Sequence, residues 1–311
     1  VKILLLGANG QLGRTFLQHG GLASRGSLVA ASRDGQLIDG GNAVIGNLED
    51  AHALRALLDA QRPDIIVNTA AYTAVDRAEQ EEDLATRVNG DAVQEIATWA
   101  ASHGALFVHY STDYVFSGDA TSPYGENTGT SPAGAYGRSK LAGETALARS
   151  GAMHFNFRTA WVYSPVGHNF LLTMLRLGGE RPELRVVADQ IGSPTDTVLI
   201  VEGTLAAVDR WIASSHEEKA ALSGTYHLTS SGQTSWHGFA SAILEGADHR
   251  KLIASAPVVT PIGTHEFPTP ARRPAYSVLD NSRFSSTFGH ALPDWQTGLN
   301  RTLDALSHAS D

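Results

Sequence analysis

The sequence predicts an α/β protein built on a doubly wound parallel sheet, with a smaller mixed α/β domain in its second half. Three observations carry that expectation. Short apolar runs of strand length alternate with helical periods through the first half of the chain. The first of those runs turns into a helix through three evenly spaced glycines. Hydroxyl-bearing residues stand at the end of the fifth run, where the strands of an open α/β sheet face their ligand crevice.

Lys2-Ile3-Leu4-Leu5-Leu6 is the first strand, and Arg14-Thr15-Phe16-Leu17 takes up a helical period after it. Between them lies Gly7-Ala8-Asn9-Gly10-Gln11-Leu12-Gly13. Glycine is required there for a tight turn, for backbone approach to a pyrophosphate, and for a helix N-terminus that offers free N–H groups to an anion. The spacing is G-x-x-G-x-x-G rather than the commoner G-x-G-x-x-G. Placed directly after a strand, it predicts a nucleotide cofactor.

Ser27-Leu28-Val29-Ala30-Ala31 is the second strand, ending in Ser32-Arg33. An acid at this strand end binds the ribose 2′-hydroxyl of NAD, whereas an arginine holds the 2′-phosphate of NADP. Ser32-Arg33 therefore points to NADPH, with NADH possible as an alternative donor. Val44-Ile45 is a short third strand, and Asn47-Leu48 is expected to pass near the adenine. A helix over 49–60 leads through Pro63 to the fourth strand, Asp64-Ile65-Ile66-Val67-Asn68. The small residues after it, Ala70 and Ala71 before Tyr72, let a flat cofactor lie against the backbone. A helix rich in alanine and acid then runs to about Ser102, with Asn89 in its middle.

Ala105-Leu106-Phe107-Val108-His109-Tyr110 is the fifth strand and runs into Ser111-Thr112-Asp113. After a Gly/Ser/Thr/Pro-rich loop from Gly118 to Pro132, a helix opens with Tyr136-Gly137-Arg138-Ser139-Lys140. Residues at i and i+4 share a helical face. A phenol is a poor acid-base group at neutral pH, and an ammonium nearby favours the phenolate and lowers its pKa. Such a tyrosine can exchange a proton with a carbonyl or alcohol oxygen. Met153-His154-Phe155-Asn156-Phe157-Arg158 is a sixth strand, ending Thr159-Ala160-Trp161-Val162-Tyr163. Beyond Pro165 the alternation weakens: helices are expected near 169–178, 196–213 and 235–246, with strands near 184–188 and 225–229. Residues 1–163 are read as mainly the cofactor domain and 164–311 as mainly the substrate domain, with segments interleaved.

Composition narrows the class. A formal net charge of −9 and the absence of a dense basic run argue against nucleic acid as a partner. No cysteine is present, so neither a disulfide framework nor thiolate chemistry is available. The apolar run at residues 2–6 is too short for a signal peptide and nothing approaches a membrane span, so a cytoplasmic protein without membrane contact is expected. A hydrolase finds no support, because neither a G-x-S-x-G elbow, an H-E-x-x-H helix nor a G-x-x-x-x-G-K-[ST] loop occurs.

Together, the glycine turn, the strand-end hydroxyl and Tyr-x-x-x-Lys resemble the extended short-chain dehydrogenase/reductases, which have a Rossmann-type sheet. The closer resemblance is to the dTDP-4-dehydrorhamnose reductase family, and it runs nearly end to end. Besides the glycine turn it rests on Asn68-Thr69-Ala70-Ala71-Tyr72-Thr73-Ala74-Val75-Asp76-Arg77-Ala78-Glu79 and Ser111-Thr112-Asp113-Tyr114-Val115-Phe116. It continues through Tyr136-Gly137-Arg138-Ser139-Lys140-Leu141-Ala142-Gly143-Glu144 and Arg158-Thr159-Ala160-Trp161-Val162-Tyr163. Asp189-Gln190-Ile191-Gly192-Ser193-Pro194-Thr195 and Arg273-Pro274 with Ser277-Val278-Leu279-Asp280 complete it.

The resemblance implies hydride transfer from a nicotinamide to the C4 ketone of a dTDP-6-deoxy-sugar. It makes Tyr136 the proton donor, Lys140 the holder of the nicotinamide ribose, and Thr112 a hydrogen-bond donor to the same oxygen, with Ser111 as its rival. Asp113 and Trp161 match sugar contacts, Asn169 is a weaker one, and Arg273, or its neighbour Arg272, is implied as the diphosphate ligand. Ala70, Ala71 and Tyr72 match cofactor-lining positions. Some relatives dimerise around a magnesium ion held by glutamates; here the corresponding stretches read Arg14-Thr15-Phe16 and Pro293-Asp294-Trp295-Gln296-Thr297-Gly298. No metal is expected, and a monomer or weak homodimer is. Two other readings share much of this pattern: a reductase or epimerase of another nucleotide-sugar, and a non-catalytic regulatory subunit of the methionine adenosyltransferase type. The joint presence of Thr112, Tyr136 and Lys140 favours the enzyme.

Overall fold

Alternating side chains sort the central strand β1 (Lys2–Leu6) onto two apolar faces. Ile3 and Leu5 enter one core and Leu4 and Leu6 the other, all without exposure. Burial on both sides is what a parallel strand covered by helices requires. The computed structural model describes residues 1–308. In it β1 is joined by β2 (Ser27–Ser32), β3 (Val44–Ile45), β4 (Ile65–Asn68), β5 (Leu106–Thr112), β6 (His154–Thr159) and β7 (Gly224–His227). Their order is β7-β6-β5-β4-β1-β2-β3 and every pair is parallel. The doubly wound sheet expected from the sequence is therefore present. Its winding reverses between β1 and β4, and the crevice at such a switch point is where this architecture binds ligands.

Helix α1 (Gln11–His19) and the helix Thr197–Ala213 cover one face, where Phe16, Leu205 and Val208 meet Ile3 and Leu5. Helix α2 (Ala51–Gln61) and a longer helix, α3, cover the other through Leu54, Leu58, Ile96 and Trp99. Helix α3 is not uniform: Glu82–Thr86 passes through a π turn at Arg87–Asp91 into Ala92–His103. The wider turn carries Asn89, whose Oδ1 accepts the Tyr72 N–H at 2.9 Å while its Nδ2 donates to the Tyr72 carbonyl at 3.0 Å. Helix α4 (Ala135–Arg149) packs on α3 and on β5.

A separate apolar core lies in the second half, where helices Phe170–Glu180, Trp236–His249 and Trp295–His308 bury Leu171, Phe239, Ile243 and Leu303. The strands Glu183–Val187 and Val258–Ile262 pair in parallel beside it. Stretches beyond residue 163 return to the main sheet: Thr197–Ala213 covers its face, Phe284 of the helix Ser282–Phe288 packs there too, and β7 extends its edge next to β6.

Candidate active site

The glycine turn closes on itself for steric reasons. Gly7 has φ +80°, and a Cβ there would lie 2.5 Å from the Ala70 nitrogen; one on Gly13 would lie 2.2 Å from the Gly7 carbonyl. Gly10 is the N-cap of α1 and supplies no side-chain cap, so the first-turn N–H groups stay available to an anion. The cradle fits a pyrophosphate. Asn9 ties the turn to the 36–38 loop, with Nδ2 donating to the Gln36 carbonyl at 2.8 Å and Oδ1 accepting from the Ile38 N–H at 3.0 Å. Arg14 reinforces that loop by a two-point ion pair with Asp39. Gln11 reaches the second half, where its Oε1 accepts from Ser164 at 3.2 Å and from Asn169 at 3.3 Å. Leu12 packs into the core on the α1 side.

Ser32 is buried and Arg33 is exposed at the end of β2, with Glu49 3.7 Å from the guanidinium. The residue that sequence reasoning missed is Asp34. Its carboxylate accepts the Ser32 hydroxyl at 3.0 Å and the Gln36 N–H at 3.2 Å, which hold it below its ordinary pKa. An acid thus stands two positions after the end of β2, where the sequence reading found only Ser32-Arg33. Leu48 buries its side chain in the core beneath α2, and Asn47 Oδ1 receives the Glu49 N–H. Ala70 N–H bonds Asn68 Oδ1 at 3.1 Å, which fixes the turn that touches Gly7. Tyr72 packs beside Ala70, with its hydroxyl donating to Glu81 at 2.6 Å, and Ala71 is half-buried between them.

At the end of β5 the strand pattern delivers three polar side chains in succession. Ser111, Thr112 and Asp113 are all at least 95% buried. Thr112 Oγ1 donates to Asp113 Oδ1 at 2.9 Å and accepts from the Tyr114 N–H at 3.2 Å, acting as a cap. Burial pushes the Asp113 carboxyl up to about 6 against the nearby hydroxyls of Ser277 and Thr112, and its Oδ2 has no protein partner. The Tyr114 ring stands edge-on to Tyr136, with 5.5 Å between centroids.

Tyr136 and Lys140 lie one turn apart on α4, as their spacing predicts. The lysine is buried, and its Nζ donates to the Tyr110 carbonyl of β5 at 2.5 Å. Burial pulls its pKa down to about 8, opposed by Glu144. One expectation is corrected here. The Tyr136 phenol is raised above its ordinary pKa because burial disfavours the phenolate more than the Thr112 hydroxyl supports it. The ammonium is committed to the Tyr110 carbonyl, so Tyr136 is the neutral, proton-bearing form at neutral pH.

Two further aromatic side chains stack just beyond β6, Trp161 from the segment after that strand and Trp236 from the second half. Trp161 sits at φ +48°, a strained conformation for a tryptophan, and stacks on Trp236. Arg273 donates to Asp76 at 2.6 Å and to the Tyr114 hydroxyl at 3.0 Å, which ties it to the Tyr114–Tyr136 pair. Arg272 is exposed, and with Phe267 and Ser117 it lines a cleft of about 420 Å³ beside Arg273. Asn169, expected as a weaker substrate contact, has a structural role: its Oδ1 caps the helix Phe170–Glu180, and its amide donates to Ser164, Val166 and Gln11. Its amide thus also serves the fold, holding the 164–166 turn to Gln11.

Residues 1–308 match the family model described as the RmlD substrate binding domain. A curated dTDP-4-dehydrorhamnose reductase of Burkholderia thailandensis is 47% identical over 303 residues, covering 95% of this chain and 96% of the relative. The crystal structure of a dTDP-4-dehydrorhamnose reductase from Clostridium acetobutylicum is similar with a TM-score of 0.85 and 35% identity, covering 98% of this chain and 99% of that one. That of the Bacillus anthracis dTDP-4-dehydrorhamnose reductase, solved in complex with NADP, gives 0.83 and 34% with the same coverage.

Proposed function

This chain belongs to the RmlD substrate binding domain family, and on that premise we propose that it is an NADPH-dependent oxidoreductase that reduces the C4 ketone of dTDP-4-dehydro-6-deoxy-L-mannose to dTDP-L-rhamnose. The observation that carries the reading is the convergence of Thr112, Tyr136 and Lys140 at the end of β5, next to the switch point and its glycine cradle. The relatives named above, one of them solved with NADP, support the cofactor and the substrate.

Bound NADPH supplies the hydride. The first-turn N–H groups of α1 would hold its pyrophosphate, the close Gly7–Ala70 contact would let it lie against the backbone, and Arg33 would meet the 2′-phosphate. Lys140 would hydrogen-bond the ribose with the ammonium hydrogens that the Tyr110 carbonyl leaves free. As the ketone carbon gains a hydride, its oxygen becomes an alkoxide, a stronger base than the Tyr136 phenolate. Tyr136 therefore gives up its proton even with a raised pKa. Thr112 stands beside the phenol to steady the charge that develops on that oxygen. Asp113 and Trp161 border the sugar. Arg273, with Arg272 at the neighbouring cleft, takes the diphosphate by charge-assisted hydrogen bonds.

The test is NADPH oxidation at 340 nm with the keto-sugar nucleotide generated in situ from dTDP-glucose. Stoichiometric oxidation with dTDP-rhamnose as product is expected. Absence of oxidation by protein that binds NADPH would overturn the substrate assignment.

A further inference from the structure

The buried face of α4 carries a third ionisable group in line with the first two. Tyr136, Lys140 and Glu144 fall at i, i+4 and i+8, one above another on a single helical face. Each of the last two is fastened to a different strand. Lys140 donates to the Tyr110 carbonyl of β5. Glu144 receives Arg158 of β6, with Nε to Oε1 at 2.9 Å and Nη2 to Oε2 at 2.7 Å. In the sheet register Tyr110 faces Phe157 and Ser111 faces Arg158, so the two anchor points are neighbours on adjacent strands. The Glu144–Arg158 pair is about as buried as the core, with side-chain exposures of 6% and 7%. Arg158 also donates to the Glu126 carbonyl at 3.2 Å and lies over the Phe116 ring.

A buried ion pair of this kind is a poor device for stability alone, because two apolar side chains of the same volume serve as well or better. What it adds is a fixed negative charge one turn from a buried cation. The other ionisable groups around Lys140 offer none. Tyr136 on α4 and Tyr110 on β5 are neutral phenols with raised pKa values. His109 on β5 is held neutral by burial, and Arg158 on β6, the partner of Glu144, is a cation and supplies no negative charge. Among the described residues, Glu144 is the anion that acts on Lys140.

We infer that Glu144, clamped by Arg158 and one turn along the same helical face, is a positioning residue that holds the charge on the Lys140 ammonium, whose place beneath Tyr136 is set by the Tyr110 carbonyl. The inference rests on the catalytic reading of Lys140 only for its consequence in turnover, and its test is independent of turnover. The chain has four lysines, Lys2, Lys140, Lys219 and Lys251, so ε-13C-lysine NMR follows each titration separately in the full-length protein.

The wild-type Lys140 signal is expected to titrate near pH 8, and Glu144→Gln to lower that midpoint by about one pH unit. Glu144→Asp is expected to restore part of the difference. A second variant, Glu144→Met with Arg158→Met, replaces the pair by apolar side chains that keep the helix packed, and it too is expected to show the lowered midpoint. NADPH fluorescence at pH 5.5, well below the expected midpoint of every variant, is expected to report unchanged binding. An unmoved midpoint in the double variant overturns the inference, since the pair then only packs. So does a shift confined to Glu144→Gln, which traces to an unpaired Arg158. Failure of the wild type to reduce the keto-sugar would instead count against the proposed function and leave the lysine titration intact.

Discussion

The indole rings of Trp161 and Trp236 lie face to face, 3.5 Å between centroids and 5° from parallel. Trp161 reaches that position only in a left-handed backbone conformation, and Gly192 leaves room for its ring, since a Cβ there would come within 2.4 Å. Stacking therefore offsets backbone strain beside the proposed sugar site. Trp236→Ala is expected to raise KM for the sugar nucleotide and to leave NADPH affinity unchanged. A double-mutant cycle with Trp161→Ala is expected to give a coupling of about 1 kcal/mol. Strict additivity would show that the stack does not position Trp161.

Removing the phenol oxygen tests the acid. Tyr136→Phe keeps the ring that Tyr114 packs against. It is expected to lower kcat by roughly 100-fold or more with little change in NADPH binding. Normal turnover would assign the proton to another group.

Arg33 is exposed, and its contact with Glu49 is long, 3.7 Å. Arg33→Ala is expected to weaken NADPH by about 2 kcal/mol, the worth of a charge-assisted hydrogen bond, and to leave NADH nearly unaffected. Titration of both dinucleotides by fluorescence checks it. Equal losses would remove the 2′-phosphate role and turn attention to Asp34.

Asp113 predicts a pH dependence of stability. Its carboxyl has an ordinary pKa of 3.8 and is raised by burial to about 6 in the folded protein. The folded state therefore binds the proton more tightly than the unfolded state, and stability falls as pH rises through that window. The gap is roughly 3 kcal/mol, fully expressed above pH 6 and absent below pH 4. Asp113→Asn can still accept from Thr112, so it is expected to raise Tm relative to wild type at pH 7.5 and to match it near pH 4. The same Tm difference at both values would refute the assignment.

Much of the sheet was legible because its signals are local. The apolar run 2–6, the glycine turn and the strand-end hydroxyls each depend on neighbours in sequence, and all are where the pattern put them. What escaped depends on partners far along the chain. Gly224–His227 reads as one more short strand, and nothing within it says that it pairs with β6. Helix Ser282–Phe288 has a polar, serine-rich sequence and is held by Phe284 packing against the sheet core. Asn169 next to a glycine loop looks like a ligand contact, yet a helix needs its oxygen as a cap. The raised Tyr136 phenol was illegible for a related reason. Spacing placed an ammonium one turn away, but only the fold revealed that the Tyr110 carbonyl takes it and that burial dominates.

The π turn at Arg87–Asp91 changes how α3 keeps phase. A regular helix advances about 100° per residue, so one residue accommodated in a wider turn rotates everything before it relative to everything after. Glu82–Thr86 and Ala92–His103 are thus two amphipathic rulers with different zero points, and a single period laid over the whole stretch must misassign one of them. Deleting one residue there would bring the rulers back into step and withdraw Asn89 from the Tyr72 backbone. The irregularity works as a vernier, setting where the segment after β4 comes to rest beside the glycine turn.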